Sequence, residues 1–384
     1  MISLRILLIA DLHIGSIKDT NYIFNVTTNI IEKELVENKT NVIIFLGDFF
    51  HRLMKCNEEY TALAINIMSY IVRMCKRSKT KIRMIYGTES HEMSQYRLFN
   101  YHMNQKDVDF KVIDTVTEEE LAPGVNVLYV PEEYIESKTS HYKKYFNKKY
   151  KYIFGHGVIS EGMPMIKFME ENKSKEKKVP HFKSKELSSI SDICVFGHYH
   201  VYSDMGNNCY YLGSLFRDSF GEEEDKGYGI IESDSRGDRF TFHHNQWAYV
   251  YKTITYNEDS DIYTSPERLV TSISTIRSEH DGIFNGSTPG KIRLVFKTPN
   301  DVSPSFREAL RSVLFNDKHI SPLIKESSEV VTEVQESIEE EYEFVLDNSL
   351  DVVDKIHRYI NKHYENVTMS LEEINQYINE ELKI

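Results

Sequence analysis

Five short motifs rich in Asp and His follow predicted strands within the first 200 residues. They are DLH at 11–13, GDFFH at 47–51, GTESHE at 87–92, GHG at 155–157 and GHYH at 197–200. Each lies beside a Gly or directly after an apolar, β-branched run, a position suited to aiming a side chain rather than filling a core. In an open α/β sheet the loops beyond the carboxyl ends of the strands form the ligand site. We therefore expect the five motifs to converge on one site.

The chemistry that these residue types suggest is a site for two metal ions. Carboxylate oxygens and imidazole nitrogens suit Mn²⁺, Fe²⁺ or Zn²⁺ better than Mg²⁺. Asp11 and His13 are two residues apart, so both can face one ion as they leave a strand, and His198 and His200 share that spacing. Asp48 can bridge the ions. Two ions roughly 3.5–4 Å apart can share a hydroxide and stabilise both oxygens of an in-line phosphoryl displacement.

A single His is more often a surface or hydrogen-bonded residue than a ligand. Five motifs in series, each at a predicted strand exit, favour the metal site over coincidence. Other histidines lack this context and are interpreted as structural: His102, His141, His181, His243 and His244.

Alternating strand and helix patterns organise the first half of the chain. Strands are predicted at 4–9, 42–46, 82–86, 125–130, 152–154, 193–196, 209–212, 229–231 and 239–243, and further strands at 249–255 and 291–296. The later strands crowd together with little helix between them, which predicts an α/β fold whose sheet becomes mixed or antiparallel. The Lys-rich segment 167–185 is predicted to be a solvated loop or lid.

Composition excludes several classes of protein. The chain has 384 residues, 40% of them hydrophobic and 27% charged, which excludes wholesale disorder. Its apolar runs are far shorter than the roughly 20 residues of a membrane helix, and no signal peptide is visible. No membrane partner is therefore expected. Four scattered Cys residues indicate reduced thiols and a cytoplasmic location.

As a set, the five motifs resemble the pattern D-x-H, G-D, G-N-H-D/E, G-H and G-H-x-H of the calcineurin-like metallophosphoesterase superfamily. Within it, the chain most resembles SbcD-type nuclease subunits of the DNA double-strand-break repair complex, and the phage-encoded recombination endonuclease subunits above all. This closer resemblance rests on His51 after G-D-F-F, on the long extension past the motifs and on an acidic helical tail. It implies a β-sandwich flanked by helices, a small α/β capping domain and a C-terminal helical segment.

The resemblance implies a ligand set for two divalent ions, with Mn²⁺ preferred. The first ion would be held by four side chains: Asp11, His13, Asp48 and His200. The second would be held by three side chains and by the residue at the family's Asn position: Asp48, His156 and His198.

Three further residues are given catalytic roles by the same resemblance. His91 would protonate the leaving 3′ oxygen or stabilise the transition state. Glu92 could orient His91, and His51 would contact substrate phosphate or complement His91.

The third motif departs from the family pattern. GTESH is two residues longer than G-N-H and contains no Asn. Alignment on His91 puts Ser90 at the Asn position, with Glu89 as an alternative ligand. A neutral Ser hydroxyl is a weaker ligand than an amide oxygen, which predicts a looser second ion.

The resemblance also predicts three parts and several partners. They are a nuclease domain at 1–248, a capping and DNA-recognition domain at 249–323, and an acidic helical region at 324–384 that binds an SbcC-type, SMC-like ATPase. No G-x-x-x-x-G-K-[ST] loop is present, so any ATP-driven step belongs to that partner. The apolar stripes after Val331 either dock on it or pack on their own domain. A homodimer within a heterotetramer is expected, with residues 63–72 as one candidate interface.

The leading hypothesis is a Mn²⁺-dependent DNA nuclease of repair, recombination and replication. It would have 3′→5′ exonuclease and structure-specific endonuclease activity on duplex ends and on branched or hairpin DNA. One alternative keeps the site but assigns a phosphoprotein, a cyclic nucleotide or a phosphomonoester as substrate. The other is a catalytically weakened scaffold, against which the intact His and Asp set argues.

The net charge of −13 argues at first against a nucleic-acid partner. Residues 325–384, however, contain 16 acidic and 5 basic residues, a net of −11, which leaves −2 for the rest. Lys residues at 143, 144, 148, 149 and 151 and at 173–185 flank the GHG motif in sequence, so local positive charge is predicted to be available to DNA.

Overall fold

The computed structural model describes residues 4–17, 19–160, 179–257, 259–298, 304–314 and 317–326. The predictions for residues 167–178 and for the helical region beyond residue 326 lie outside these ranges. The strands are β1 (Leu4–Ile9), β2 (Val42–Leu46), β3 (Lys81–Ile85), β4 (Phe110–Ile113), β5 (Thr117–Ala122), β6 (Val125–Val130), β7 (Tyr150–His156), β8 (Val158–Ile159), β9 (His181–Phe182), β10 (Ser191–Gly197), β11 (Ser203–Asp204), β12 (Cys209–Tyr211), β13 (Gly227–Asp234), β14 (Gly237–His244), β15 (Val250–Tyr256), β16 (Gly290–Thr298) and β17 (Ile320–Glu326). The helices are α1 (Thr20–Val36), α2 (Glu59–Ser78), α3 (Glu89–Glu92), α4 (Asn100–Met103), α5 (Lys138–Phe146), α6 (Ser184–Ser188), α7 (Pro266–Glu279), α8 (Asp281–Phe284) and α9 (Pro304–Val313), with 3₁₀ turns at Gln95–Phe99 and Asp261–Tyr263.

Two mixed six-stranded sheets form the main architecture. The first has the order β14-β13-β1-β2-β3-β4, in which β1 to β4 are parallel and β13 and β14 are antiparallel. The second has the order β11-β12-β10-β7-β6-β5, with a parallel centre and an antiparallel strand at each edge. The predicted mixed α/β fold, a β-sandwich flanked by helices, is confirmed.

Alternation along the central strands explains how both faces of the first sheet are buried. Ile6 and Leu8 of β1 belong to a core shared with β7 of the second sheet. Leu7 and Ile9 point the other way and pack in a core with α1 and α2. Successive strand residues face opposite sides, so a strand covered on both sides reads as an unbroken apolar run. The same run that predicts the strand also fixes where its carboxyl end opens into a loop.

Part of the Lys-rich segment contradicts the prediction of a solvated loop. β9 pairs in parallel with β8, and Phe182 is buried in the outer core of the second sheet. One aromatic side chain among Lys residues is enough to anchor this stretch, because burying its ring contributes about 1.5–3 kcal/mol.

The chain divides into two compact units. The first comprises residues 4–253, 277–293 and 318–321, and the second has 254–276, 294–317 and 322–326 among its residues, within the described ranges. β15, β16 and β17 form a three-stranded sheet in that order. The predicted boundaries at 248 and 323 stay predictions. In the part of the chain that the structure describes, no helix has the length and apolar character needed to cross a membrane.

Candidate metal centre at the carboxyl ends of the strands

The five motifs meet at one edge of the sandwich. Asp11 lies two residues past the end of β1, Asp48 lies two residues past the end of β2, and the third motif follows β3. In the second sheet, β7 ends at His156 and His198 follows β10 directly. Both sets of strands are parallel, so their carboxyl ends share one edge. The predicted convergence is what the structure shows.

Two groups of ligand atoms form at this edge. Within each group the candidate ligand atoms lie within 4.8 Å of one another; the groups are Asp11, His13 and His200, and Asp48, His156 and His198. Asp48 Oδ2 lies 3.7 Å from His13 Nε2 and 3.4 Å from His156 Nε2, so this carboxylate stands between the groups. That Asp48 bridges two ions stays a prediction.

Left-handed backbone aims several of these side chains. Asp11, His13, Asp48 and His198 have φ values of 48°, 46°, 45° and 97°. Such angles are uncommon outside Gly and cluster at functional sites. The backbone N–H of His198 donates to the Asp11 carboxylate at 3.0 Å, which ties the loops of the two sheets together.

Two glycines allow these loops to touch. A Cβ at Gly87 would lie 2.3 Å from the backbone N of Asp48, and one at Gly197 would lie 2.3 Å from the carbonyl oxygen of Leu46. No real Cβ packs so closely on backbone, so both positions require glycine. The Gly residues in the motifs are therefore part of the packing beneath the site.

The electrostatics centre on His156 and Asp48. Burial opposes the charge of Asp48, yet its pKa is lowered because His156 and His13 lie beside it. Burial likewise opposes protonation of His156, but Asp48 and Asp11 raise its pKa to about 10. His156 Nδ1 lies 2.7 Å from the Leu46 carbonyl and donates to it, so Nε2 faces Asp48. A metal cation at this site would therefore compete with the proton on His156 for the Asp48 carboxylate.

The residues fit divalent cations. Imidazole nitrogens and carboxylates are the donors that Mn²⁺, Fe²⁺ and Zn²⁺ accept. His198 Nδ1 is buried and has no hydrogen-bond partner among the described residues. The pKa of His13 is held well below its usual value by burial, so this imidazole is neutral and can coordinate.

His51 and His91 lie beside the first group. Their ligand nitrogens and that of His13 lie within 4.8 Å of one another. The ring of His13 packs edge-on against His91 at 5.1 Å and against His51 at 5.5 Å between centroids. His91 Nδ1 is buried without a hydrogen-bond partner among the described residues. The structure thus brings both predicted catalytic histidines to the site.

Glu92 does not hydrogen-bond to His91, contrary to the orienting contact expected for it. Its fully buried carboxylate accepts from the backbone N–H of Phe49 at 2.6 Å and of Phe50 at 3.4 Å. Burial raises the pKa of Glu92 well above its usual value. Its contacts therefore hold the loop that carries Asp48 and His51.

Ser90 is exposed and makes no described contact with the ligand groups. Thr88 stands there instead: its backbone N–H donates to Asp48 Oδ1 at 2.7 Å, and its hydroxyl lies 3.3 Å from Asp48 Oδ2. The chain reaches the site at Gly87 and Thr88, directly after β3, and then winds into α3, which carries Ser90 outward. Alignment of the motif on His91 assigns Ser90, and not Thr88, to the position of the family Asn.

Sequence reasoning missed three acidic residues at the site: Glu132, and Asp218 and Glu222, which form a further group of candidate ligands with His200. Glu132, two residues past β6, lies 3.2 Å from His198 Nδ1. Glu222 lies 3.8 Å from His200 Nδ1, and burial is outweighed by His200 and Lys226, which lower its pKa to about 2. A carboxylate on the second nitrogen of a ligand His fixes its orientation, and Glu222 has this position beside His200, whose Nε2 faces His13. The only sequence signal for Glu132 was its place after a predicted strand.

Two Lys residues that precede GHG, Lys148 and Lys151, are neighbours of the motif in sequence but not in space. Lys148 precedes β7 and pairs with Glu118 at 2.7 Å, and Lys151 pairs with Asp192 at 3.1 Å. β7 then runs seven residues to His156, which is about 20 Å. This part of the predicted positive charge lies at the opposite edge and is already paired.

Two packed mixed sheets with adjoining His and Asp groups at one edge define a metal-dependent hydrolase centre. Residues 4–262 match the family model of calcineurin-like phosphoesterases, and the chain belongs to that family. It is accordingly a hydrolase of phosphoester bonds that uses divalent metal ions.

The chain is also similar to solved structures at low sequence identity. One similar crystal structure is 12% identical, with 63% of this chain and 99% of that chain covered and a TM-score of 0.37. Another, the Pseudomonas putida nuclease MPE, is 18% identical, with 41% and 64% covered and a TM-score of 0.22. None of the curated proteins compared with the chain matches it.

Proposed function

We propose that this phosphoester hydrolase is a DNA nuclease with 3′→5′ exonuclease and structure-specific endonuclease activity. The observation that carries the proposal is the placement of His91 and His51 beside His13. Hydrolysis of a DNA phosphodiester expels a sugar alkoxide. This alkoxide is a poor leaving group unless an acid protonates it. His91 is a partly exposed imidazole in position to do so.

Access to the site supports a polymeric substrate. The side chains of His198 and His200 are 22% and 31% exposed, whereas Asp11 and His156 below them are buried. The site is thus partly exposed to solvent on the side of His198 and His200. This access suits a duplex end or a branched strand better than a small ester that would be enclosed.

Each residue then has a defined task. One ion, Mn²⁺ in this proposal, would be held by Asp11, His13 and His200 together with Asp48, and the other would have Asp48, His156 and His198 among its ligands. When bound, the ions supply Lewis-acid stabilisation of the phosphate charge and activation of water. His91 gives its proton to the leaving 3′ oxygen, and His51 contacts the phosphate beside it.

The test uses the full chain, Mn²⁺ and end-labelled duplex DNA, with p-nitrophenyl phosphate as the competing substrate. We expect DNA cleavage that His91→Ala reduces at least 100-fold while metal binding stays intact. His280→Ala, a partly exposed imidazole outside the clusters, is the matched control. Cleavage of p-nitrophenyl phosphate without cleavage of DNA would assign a phosphatase instead. Full nuclease activity in His91→Ala would remove the assigned acid.

The partners and the location extend the same proposal. We infer a cytoplasmic protein that forms a homodimer and joins an SbcC-type ATPase through residues 324–384. Co-purification with such an ATPase, and loss of it on truncation after residue 323, would support this assignment. Retained binding in the truncated chain would place the contact elsewhere.

A further inference from the structure

The second ligand group has lost the asparagine of its family but contains a buried carboxylate that no motif includes. We propose that Glu132, assisted by the Thr88 hydroxyl, completes the cation site of Asp48, His156 and His198 in place of that asparagine. This inference rests on the proposed metal-dependent function and concerns the ligands of one ion.

The position of Glu132 follows from the sheet order. β6 lies beside β7 in parallel, with Val130 opposite Gly155. The chain leaves β6 at Val130, and Glu132 then stands at the same edge as His156. Its backbone N–H donates to the Tyr86 carbonyl at 3.2 Å, which ties this loop to the exit of β3.

The carboxylate of Glu132 points into the ligand group. Its Oε2 lies 3.2 Å from His198 Nδ1 and 4.0 Å from His156 Nε2. The Thr88 hydroxyl lies 3.4 Å from the same Oε2, 3.3 Å from Asp48 Oδ2 and 3.5 Å from His156 Nε2. These five side chains surround one small volume, and each offers it a donor atom.

The burial of Glu132 calls for a compensating positive charge. Its side chain is 2% exposed, and its ion pairs within the described residues are with the imidazoles of His198 and His156 and with no Lys or Arg. The Tyr134 hydroxyl hydrogen-bonds to it. Buried carboxylates are stabilised by a counter-charge or a metal ion. A divalent cation on His198 Nδ1, which otherwise has no hydrogen bond, satisfies both groups.

A purely orienting role for Glu132 gives a different expectation. If the carboxylate only held the His198 ring, a Gln would still offer an oxygen to Nδ1–H. In a ligand role the charged carboxylate binds a divalent cation more tightly than the neutral Gln amide, because affinity rises with the charge of the ligands. Glu132→Gln therefore separates the two roles, and Glu133→Gln is the matched control. Glu133 is the adjacent carboxylate and is engaged by His141 and by the Tyr142 hydroxyl instead.

The experiment measures Mn²⁺ binding to the full chain by calorimetry and by electron paramagnetic resonance, without substrate. We expect two ions with a spin-coupled signal in the wild type and in Glu133→Gln. In Glu132→Gln the second ion should bind on the order of 100-fold more weakly, and the spectrum should become that of a single ion.

Two coupled ions in Glu132→Gln, with affinities within threefold of wild type, would overturn the assignment. These readouts involve no DNA, so a wild type that binds two ions but leaves DNA uncut would refute the proposed nuclease and leave the Glu132 assignment standing.

Discussion

Replacement of Glu92 tests whether the site is organised from beneath. Glu92 accepts from the backbone N–H of Phe49 at 2.6 Å, and this loop carries Asp48 and His51. Glu92→Ala removes the acceptor and leaves a buried N–H without a partner. Glu92→Gln keeps an oxygen in place and removes only a charge that burial already disfavours.

The magnitude follows from these contacts. An orphaned buried N–H costs about 1–3 kcal/mol. The lost side-chain packing adds to this cost, and relief of the buried carboxylate subtracts from it, so Glu92→Ala should lower stability by about 2 kcal/mol. For a unit of this size that corresponds to about 4–8 °C in Tm. Loosening the Asp48 loop should weaken metal binding about 10- to 100-fold.

The assays are thermal unfolding and Mn²⁺ calorimetry on wild type, Glu92→Gln and Glu92→Ala. We expect Glu92→Gln to stay close to wild type in both. If Glu92→Ala bound Mn²⁺ with unchanged affinity and lost only turnover, Glu92 would act through His91, and the loop-holding role would be refuted.

Three other perturbations address the packing and charge around the site. Gly87→Ala should cost about 1–3 kcal/mol and abolish tight Mn²⁺ binding, because its Cβ would lie 2.3 Å from the Asp48 nitrogen; calorimetry checks this. Glu119→Gln should destabilise by about 2 kcal/mol at pH 7, since it removes a charged partner at 2.7 Å from the fully buried Arg83, which keeps Asp109 at 2.9 Å. Glu119 has its pKa lowered to about 2, so this difference from wild type should be complete above pH 4.5 and shrink as pH falls toward 2 in denaturant titrations. Mn²⁺ binding at pH 8 should release about one proton from His156, whose pKa is raised to about 10, and buffers of different ionisation enthalpy reveal the release.

The sequence predicts most of the fold because buried strands carry continuous apolar runs. β1, β2 and β6 have the predicted bounds for this reason. β5 went unpredicted because it is an edge strand of sequence TEEELA, whose exposed positions hold Glu. Motif residues directly after a strand were placed at the correct edge, since parallel strands end together.

The rest of the site depends on three-dimensional contacts that cannot be derived from the linear sequence. Counting back from His91 chose Ser90, because only the winding of α3 shows that Thr88 reaches Asp48. Glu132 belongs to no motif and becomes a neighbour of His198 only through the order of the strands in the second sheet.

The left-handed backbone of the ligand residues has a consequence for engineering. A left-handed backbone conformation destabilises a non-glycine residue by roughly 1–2 kcal/mol. Four ligand residues have this conformation: Asp11, His13, Asp48 and His198. Glycine at these positions would remove the cost together with the ligand. Replacement of these ligand residues would therefore yield a more stable but inactive protein. Selection for thermal stability alone would favour such replacements over retention of catalytic activity.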